Sequence, residues 1–202
     1  MAVDNLWTSL IQSACLWRGR HAMATQKFKE LIHYICWKCD DPAQLGATKL
    51  NKIPWFVDTL AYRVDGAGLT GETYIKRQFG PVPKNILSVL SELEKEGKIV
   101  TREPLVAYQP REHVAITPPD ISLFSERELR LIDLVIEDVC KHHTSGSISE
   151  LSHDQIWAAA ALGEEIPLYA TLAANAGEIT EKDYAWADSI VAEVIERKDA
   201  VA

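Results

Sequence analysis

Residues 49–86 read KLNKIPWFVDTLAYRVDGAGLTGETYIKRQFGPVPKNI. In the first half, Leu50, Ile53, Phe56, Val57, Leu60, Ala61 and Val64 recur at three- and four-residue steps, the period of one buried helix face. A helix over about 46–65 is expected. Pro54 falls inside it, and a proline there removes an amide donor and crowds the preceding turn. The helix should therefore kink at Pro54, or residues 47–52 should form a separate turn. Asp65-Gly66-Ala67-Gly68 then breaks the chain. Next come two aromatics and two cations, Tyr74-Ile75-Lys76-Arg77-Gln78-Phe79, ahead of the stiff turn Gly80-Pro81-Val82-Pro83. Aromatic residues and Arg are the types that anchor protein interfaces. Tyr74, Lys76, Arg77 and Phe79 are thus the candidate partner-binding residues, with Pro81 and Pro83 holding the turn. The competing reading packs Tyr74 and Phe79 under the turn and leaves Lys76 and Arg77 in water.

Upstream, residues 4–18 have helical spacing through Leu6, Trp7, Leu10, Ile11, Ala14 and Cys15. Thr25 can cap a helix over 26–40 whose apolar face is Phe28, Leu31, Ile32, Ile35, Cys36 and Cys39. Downstream, Pro83 suits the first turn of a helix over 83–96 that buries Ile86, Leu87, Leu90 and Leu93, with Gly97 just past its end. Ile99–Arg102 and Val114–Thr117 read as two short strands. Ser125 with Glu128 forms a capping box for a helix over 126–143, and Ser152 with Gln155 has the same form ahead of 153–162. A short apolar helix near 168–175 and a last helix over 181–198 complete the pattern. The expected fold is mainly α: a helical bundle with one small, winged-helix-like β-hairpin. The expected organisation is an N-terminal helical extension (1–24), a single globular domain (25–175) and a C-terminal helix (176–202).

The 202 residues are 47% hydrophobic and 25% charged, ordinary globular material able to bury a sizeable core. Net charge is −8, and residues 112–202 hold six Lys/Arg against eighteen Asp/Glu. That balance argues against a nucleic-acid binder and suits a protein partner with a basic surface. The helix–hairpin order over 83–117 is nonetheless that of a winged helix, so a DNA-binding regulator is the alternative. Glu92, Glu94 and Glu96 would then face phosphate, which repels them. The opening MAVDNLWTSL lacks the basic and apolar regions of a secretory leader. No apolar run approaches the ~18 residues of a membrane span. A cytoplasmic location with reduced cysteines is expected.

His33, Cys36 and Cys39 have metal-ligand identities, but on a helix steps of three drift by about 60° each. Buried small side chains explain them better than zinc does. His142-His143 suits a helix C-terminus, and a structural hydrogen bond is the expected role of His153. Glu164-Glu165 reads as a solvated turn. There is no GxSxG, P-loop, GxGxxG or HExxH, so no catalytic group, cofactor or metal is expected and the chain is read as a non-enzyme.

With those residues in view, the chain resembles the Panacea domain of SocA-like antitoxins. The resemblance rests on Phe28-Lys29-Glu30-Leu31 with Ile35, Gly46 to Ile53, Phe56-Val57-Asp58, Leu69-Thr70-Gly71, Tyr74 and Phe79 to Pro83. Leu151-Ser152-His153, Trp157 and Glu165-Ile166-Pro167 extend it, so that it covers about 25–172. It implies a helical domain that neutralises a cognate toxin by direct binding, as a hetero-oligomer, in a bacterial or phage toxin–antitoxin system. Toxin partners in that family include alarmone-synthetase-like enzymes. Pro54 departs from the family pattern. The helices over 4–18 and 181–198 lie outside the matched core and are candidates for setting partner choice.

Overall fold

The computed structural model describes residues 26–39, 41–103 and 111–175. The helices expected over 4–18 and 181–198 lie outside them. Helix α1 (26–38) sits at the centre, with every residue from Phe28 to Cys36 buried. It buries polar side chains along with its apolar ones, and each such group needs a partner. Lys29 Nζ pairs with Glu96 at 2.5 Å. Glu30 accepts from Lys98 Nζ at 2.9 Å and from the Asp120 amide at 3.1 Å. His33 Nε2 meets the Thr117 carbonyl at 2.8 Å. The segments around Glu96–Lys98 and Thr117–Asp120 are thereby tied to α1.

Helix α2 (Pro42–Asp65) starts on the Asp41 side chain, which accepts from the Ala43 amide. Its interruption is at Gly46 (φ 53°, ψ 173°), a conformation suited to glycine, and not at Pro54 as expected. The missing Pro54 amide costs about 3 kcal/mol. Burial of Leu50, Ile53, Trp55 and Val57 along the same stretch contributes about 1.5–3 kcal/mol for each side chain and outweighs it. Gly66, at φ 70°, closes the helix and donates to the Tyr62 carbonyl.

Two small antiparallel sheets accompany the helices, where one hairpin was expected. The expected one is β3 (Ile99–Arg102) with β4 (Glu112–Ala115), two residues earlier on its second strand, and it follows α3 (Ile86–Lys95). The unexpected sheet contains the Tyr74–Pro83 segment. Strand β1 (Tyr74–Arg77) pairs with β2 (Gly80–Pro83), Tyr74 opposite Pro83 and Arg77 opposite Gly80. The short β5 (Glu165–Ile166) adds to the other side of β1, giving the order β2-β1-β5. Pro83 therefore ends a strand and does not open α3. Prolines are confined to sheet edges, and β2 is an edge. Leu87, expected to be buried, is exposed, and Val89 is buried in its place.

Helix α4 (Glu126–His142) carries the expected Ser125–Glu128 capping box and buries Ile132, Val135, Ile136 and Val139. The helix expected over 153–162 is present in shorter form, and an unexpected helix precedes it. In chain order these are α5 (Ser145–Leu151), capped by Thr144 with Ser147, and α6 (Gln155–Ala159), capped by Asp154. Ser152 ends α5 instead of opening a helix. Leu168–Asn175 is a 3-10 turn.

The carboxylate of Asp58 joins α2 to the first sheet. It is 0% exposed and accepts from the Thr70 amide (2.8 Å), the Thr70 hydroxyl (2.5 Å) and the Tyr74 hydroxyl (2.7 Å). Burial holds its carboxyl above the ordinary aspartate range, against the opposing pull of those donors. Replacing Asp58 with Ala strands three buried donors and should lower unfolding stability by about 3 kcal/mol, against about 1–2 kcal/mol for Tyr74→Phe. Urea melts read both values, and a loss under about 1 kcal/mol for Asp58→Ala would show that the junction is held by something else.

Candidate partner-binding site at the hairpin tip

The β1–β2 hairpin projects Arg77, Gln78 and Phe79 into solvent at its turn. Phe79 is 62% exposed, the reverse of the plug that its Gly-Pro neighbours suggest. Beneath the tip, three side chains from three elements donate to main-chain carbonyls. Trp157 Nε1 of α6 donates to Arg77 O at 3.1 Å. Ser149 Oγ of α5 donates to Phe79 O at 2.7 Å. Lys52 Nζ of α2 donates to Pro81 O at 3.0 Å. Gly80, at φ 102°, lies so close that an added Cβ would collide with Lys52 Nζ and Ser152 Oγ. The turn therefore takes only glycine at that position.

Lys52 is 1% exposed. Burial pulls its ammonium down to about 7. His153, between α5 and α6, stacks on Trp157 with ring centroids 3.8 Å apart and planes 11° apart. Burial, then the nearby Lys52 charge, lowers its pKa, and its Nε2 is buried without a hydrogen-bond partner among the described residues. Lys76 Nζ lies 4.3 Å from the Trp157 ring centre and donates to the carbonyls of Ala160 (2.8 Å) and Ala158 (3.2 Å). It fastens α6 to β1.

Six residues are candidates from the sequence, and the structure separates them. Arg77 and Phe79 share the exposed tip. Lys76 is turned back onto α6. Tyr74 is 1% exposed, bonded to Asp58 and packed edge-on against Trp55 with centroids 5.1 Å apart. Pro81 and Pro83 are buried in the edge strand. Tyr74, Pro81 and Pro83 thus hold the hairpin and present no surface to a partner. Lys52, Ser149 and Asp58 escaped notice as functional groups. Charges at Lys49, Lys52 and Asp58 inside an apolar helical stripe were the available signal, since buried charges are rare unless paired.

A family model described as the antitoxin SocA-like Panacea domain matches residues 50–158, just over half the chain. The chain belongs to this family. The matched span contains Lys52, Asp58, the whole hairpin, Ser149, His153 and Trp157, so the Panacea domain holds every group that seats the tip. No curated protein and no solved structure matches the chain. The Panacea family is one of antitoxins, which implies a toxin partner and is generally without catalysis. Among the described residues, no helix is long and apolar enough to cross a membrane. Cys36 and Cys39 pack in the core. Glu165 pairs with Lys84 at 2.8 Å, and Glu164 accepts from the Ala161 amide.

The depressed Lys52 pKa sets the sign of a pH dependence. Between about 7 and the ordinary 10.5 the unfolded chain holds a proton that the folded chain has lost, so stability rises with pH there. The gain is complete above the unfolded value and is lost as pH falls through about 7. The slope should be at most about 1.4 kcal/mol per pH unit. Lys52→Met should flatten it, as read by urea melts at pH 7, 8 and 9. A slope unchanged in Lys52→Met assigns the effect to other groups.

Proposed function

We propose that this protein is an antitoxin that neutralises a partner toxin by direct binding, with Arg77 and Phe79 at the hairpin tip as the contact. The observation that carries the proposal is an exposed Phe beside an exposed Arg on a turn whose backbone is anchored from beneath. An aromatic and an Arg on a rigid platform bind at low ordering cost. The fitting partner offers an apolar recess with a carboxylate at its rim. The toxin acts in the cytoplasm, and the alarmone-synthetase-like enzymes implied by the family are one such class. The protein serves as a stoichiometric subunit and turns over no substrate.

The order α3–β3–β4 is that of a winged helix, but α3 bears Glu92 and an exposed Glu94, and Glu96 caps its end, with Glu92 and Glu96 at 3.7 and 2.5 Å from Lys29. That surface repels phosphate, and a DNA-binding reading gains nothing from it.

The test is co-expression with the product of the neighbouring reading frame, scoring growth rescue and co-purification. Phe79→Ala and Arg77→Glu should keep the wild-type melting temperature. Each should weaken the complex by about 30-fold or more, the loss expected of a hot-spot residue. Full rescue and co-purification by both variants would move the contact off the tip. A wild-type protein that neither binds nor rescues would remove the antitoxin reading itself.

A further inference from the structure

Away from the tip, two thiols face each other. Cys39 lies just past the last residue of α1, and Cys140 lies in the last turn of α4, with Sγ atoms 3.7 Å apart. Both border one surface hollow of about 520 Å³, lined by Lys38 and Lys141 and by the carboxylates of Asp41, Asp133 and Glu137. Lys49 Nζ donates to the Cys140 carbonyl at 3.2 Å and brings a cation close to the pair. The hydrogen bond with Cys140 pulls the Cys39 thiol down to about 7, against burial, which pushes it up. Cys36, one turn back on α1, is packed in the core, and burial pushes its thiol up to about 12. The thiolate is the reactive form of cysteine, so Cys39, mostly buried yet bordering the hollow, is the thiol set to react, with Cys140 against it and Cys36 inert.

We propose that Cys39 and Cys140 form an intramolecular disulfide when the protein meets hydrogen peroxide, making this pair a two-electron redox site. The Cys39 thiolate attacks a peroxide oxygen, the O–O bond breaks, and with one proton taken up the first water leaves. Cys39 is then a sulfenic acid. The Cys140 sulfur attacks Cys39 Sγ, the S–O bond breaks, and the Cys140 proton departs with the hydroxide as the second water. Two thiols are oxidised and one peroxide is reduced to two waters. The sulfurs must close from 3.7 Å to about 2.05 Å. Cys39 sits at the frayed end of α1, its amide still donating to the Ile35 carbonyl at 3.1 Å but its own residue past the last helical one, while Cys140 stays within α4. The bond would tie the α1–α2 junction to the end of α4.

The test uses the full chain, reduced and then exposed to hydrogen peroxide near neutral pH, with alkylation, intact-mass measurement and peptide mapping. The expected product is lighter by about 2 Da, two hydrogens, carries a Cys39–Cys140 cross-linked peptide, and reverts with dithiothreitol. Cys36→Ser and Cys15→Ser should form the same link. Cys140→Ser should stop at a sulfenic acid on Cys39 that dimedone labels. A link between any other two cysteines overturns the proposal. So does oxidation of Cys39 to sulfinic acid without a link, or a Cys39 that stays fully alkylatable after peroxide. Should a variant fail to fold, the wild-type peptide map alone decides.

Discussion

Lys52 Nζ reaches the Pro81 carbonyl from within α2, and six residues along the same helix the Asp58 carboxylate collects the Tyr74 hydroxyl. Six helical residues span about 9 Å, and that interval matches the hairpin: Tyr74 lies at its base and Pro81 near its tip. Two ionisable groups inside α2 thus fix both the position and the tilt of β1 and β2. Each is close to fully buried, so neither tolerates losing its partner, and a hairpin shifted by one residue would strand both. An apolar contact of equal area would allow sliding. Directional bonds from buried groups do not, and here they act as a registration device. β5 then pairs with the other side of β1, and α6 is fastened through Lys76. The α2–hairpin junction therefore positions β5 and α6.

Periodicity and end signals made much of this architecture legible in the sequence. The apolar face of α1, the Ser125–Glu128 box of α4 and the β3–β4 hairpin were all readable there, because each depends on residues close together in the chain. The misreadings share a physical cause. Pro54 is a helix breaker by local energetics, yet burial on both sides of it outweighs the lost amide bond, while Gly46 supplies the actual bend. Pro81 and Pro83 argue against a strand until the strand is known to be an edge, a property of sheet order and not of sequence. Ser152 has the spacing of a cap, but Asp154 takes that role two residues later.

At the candidate site, residue type marked the right segment but could not tell exposed from buried members. Tyr74 and Phe79 are both aromatics flanking two cations, and one is core while the other is exposed at the turn. The reach of Asp58 across sixteen residues to Tyr74, and the place of Phe79 in the turn past the end of β1, decide the difference. Lys76 shows the same effect for charge: stacked over Trp157 and satisfied by two carbonyls, it is a fastening between elements. Neighbouring Arg77 has its side chain exposed at the turn.

All three supports under the tip address main-chain oxygens, those of Arg77, Phe79 and Pro81. A carbonyl is the same in every amino acid. Gly80 apart, the platform asks nothing of the side chains at 77–79, so that triplet can be rewritten without disturbing the scaffold that carries it. Under the proposed role, that separation would let the exposed triplet be fitted to a different partner surface while Lys52, Ser149 and Trp157 go on holding the same backbone.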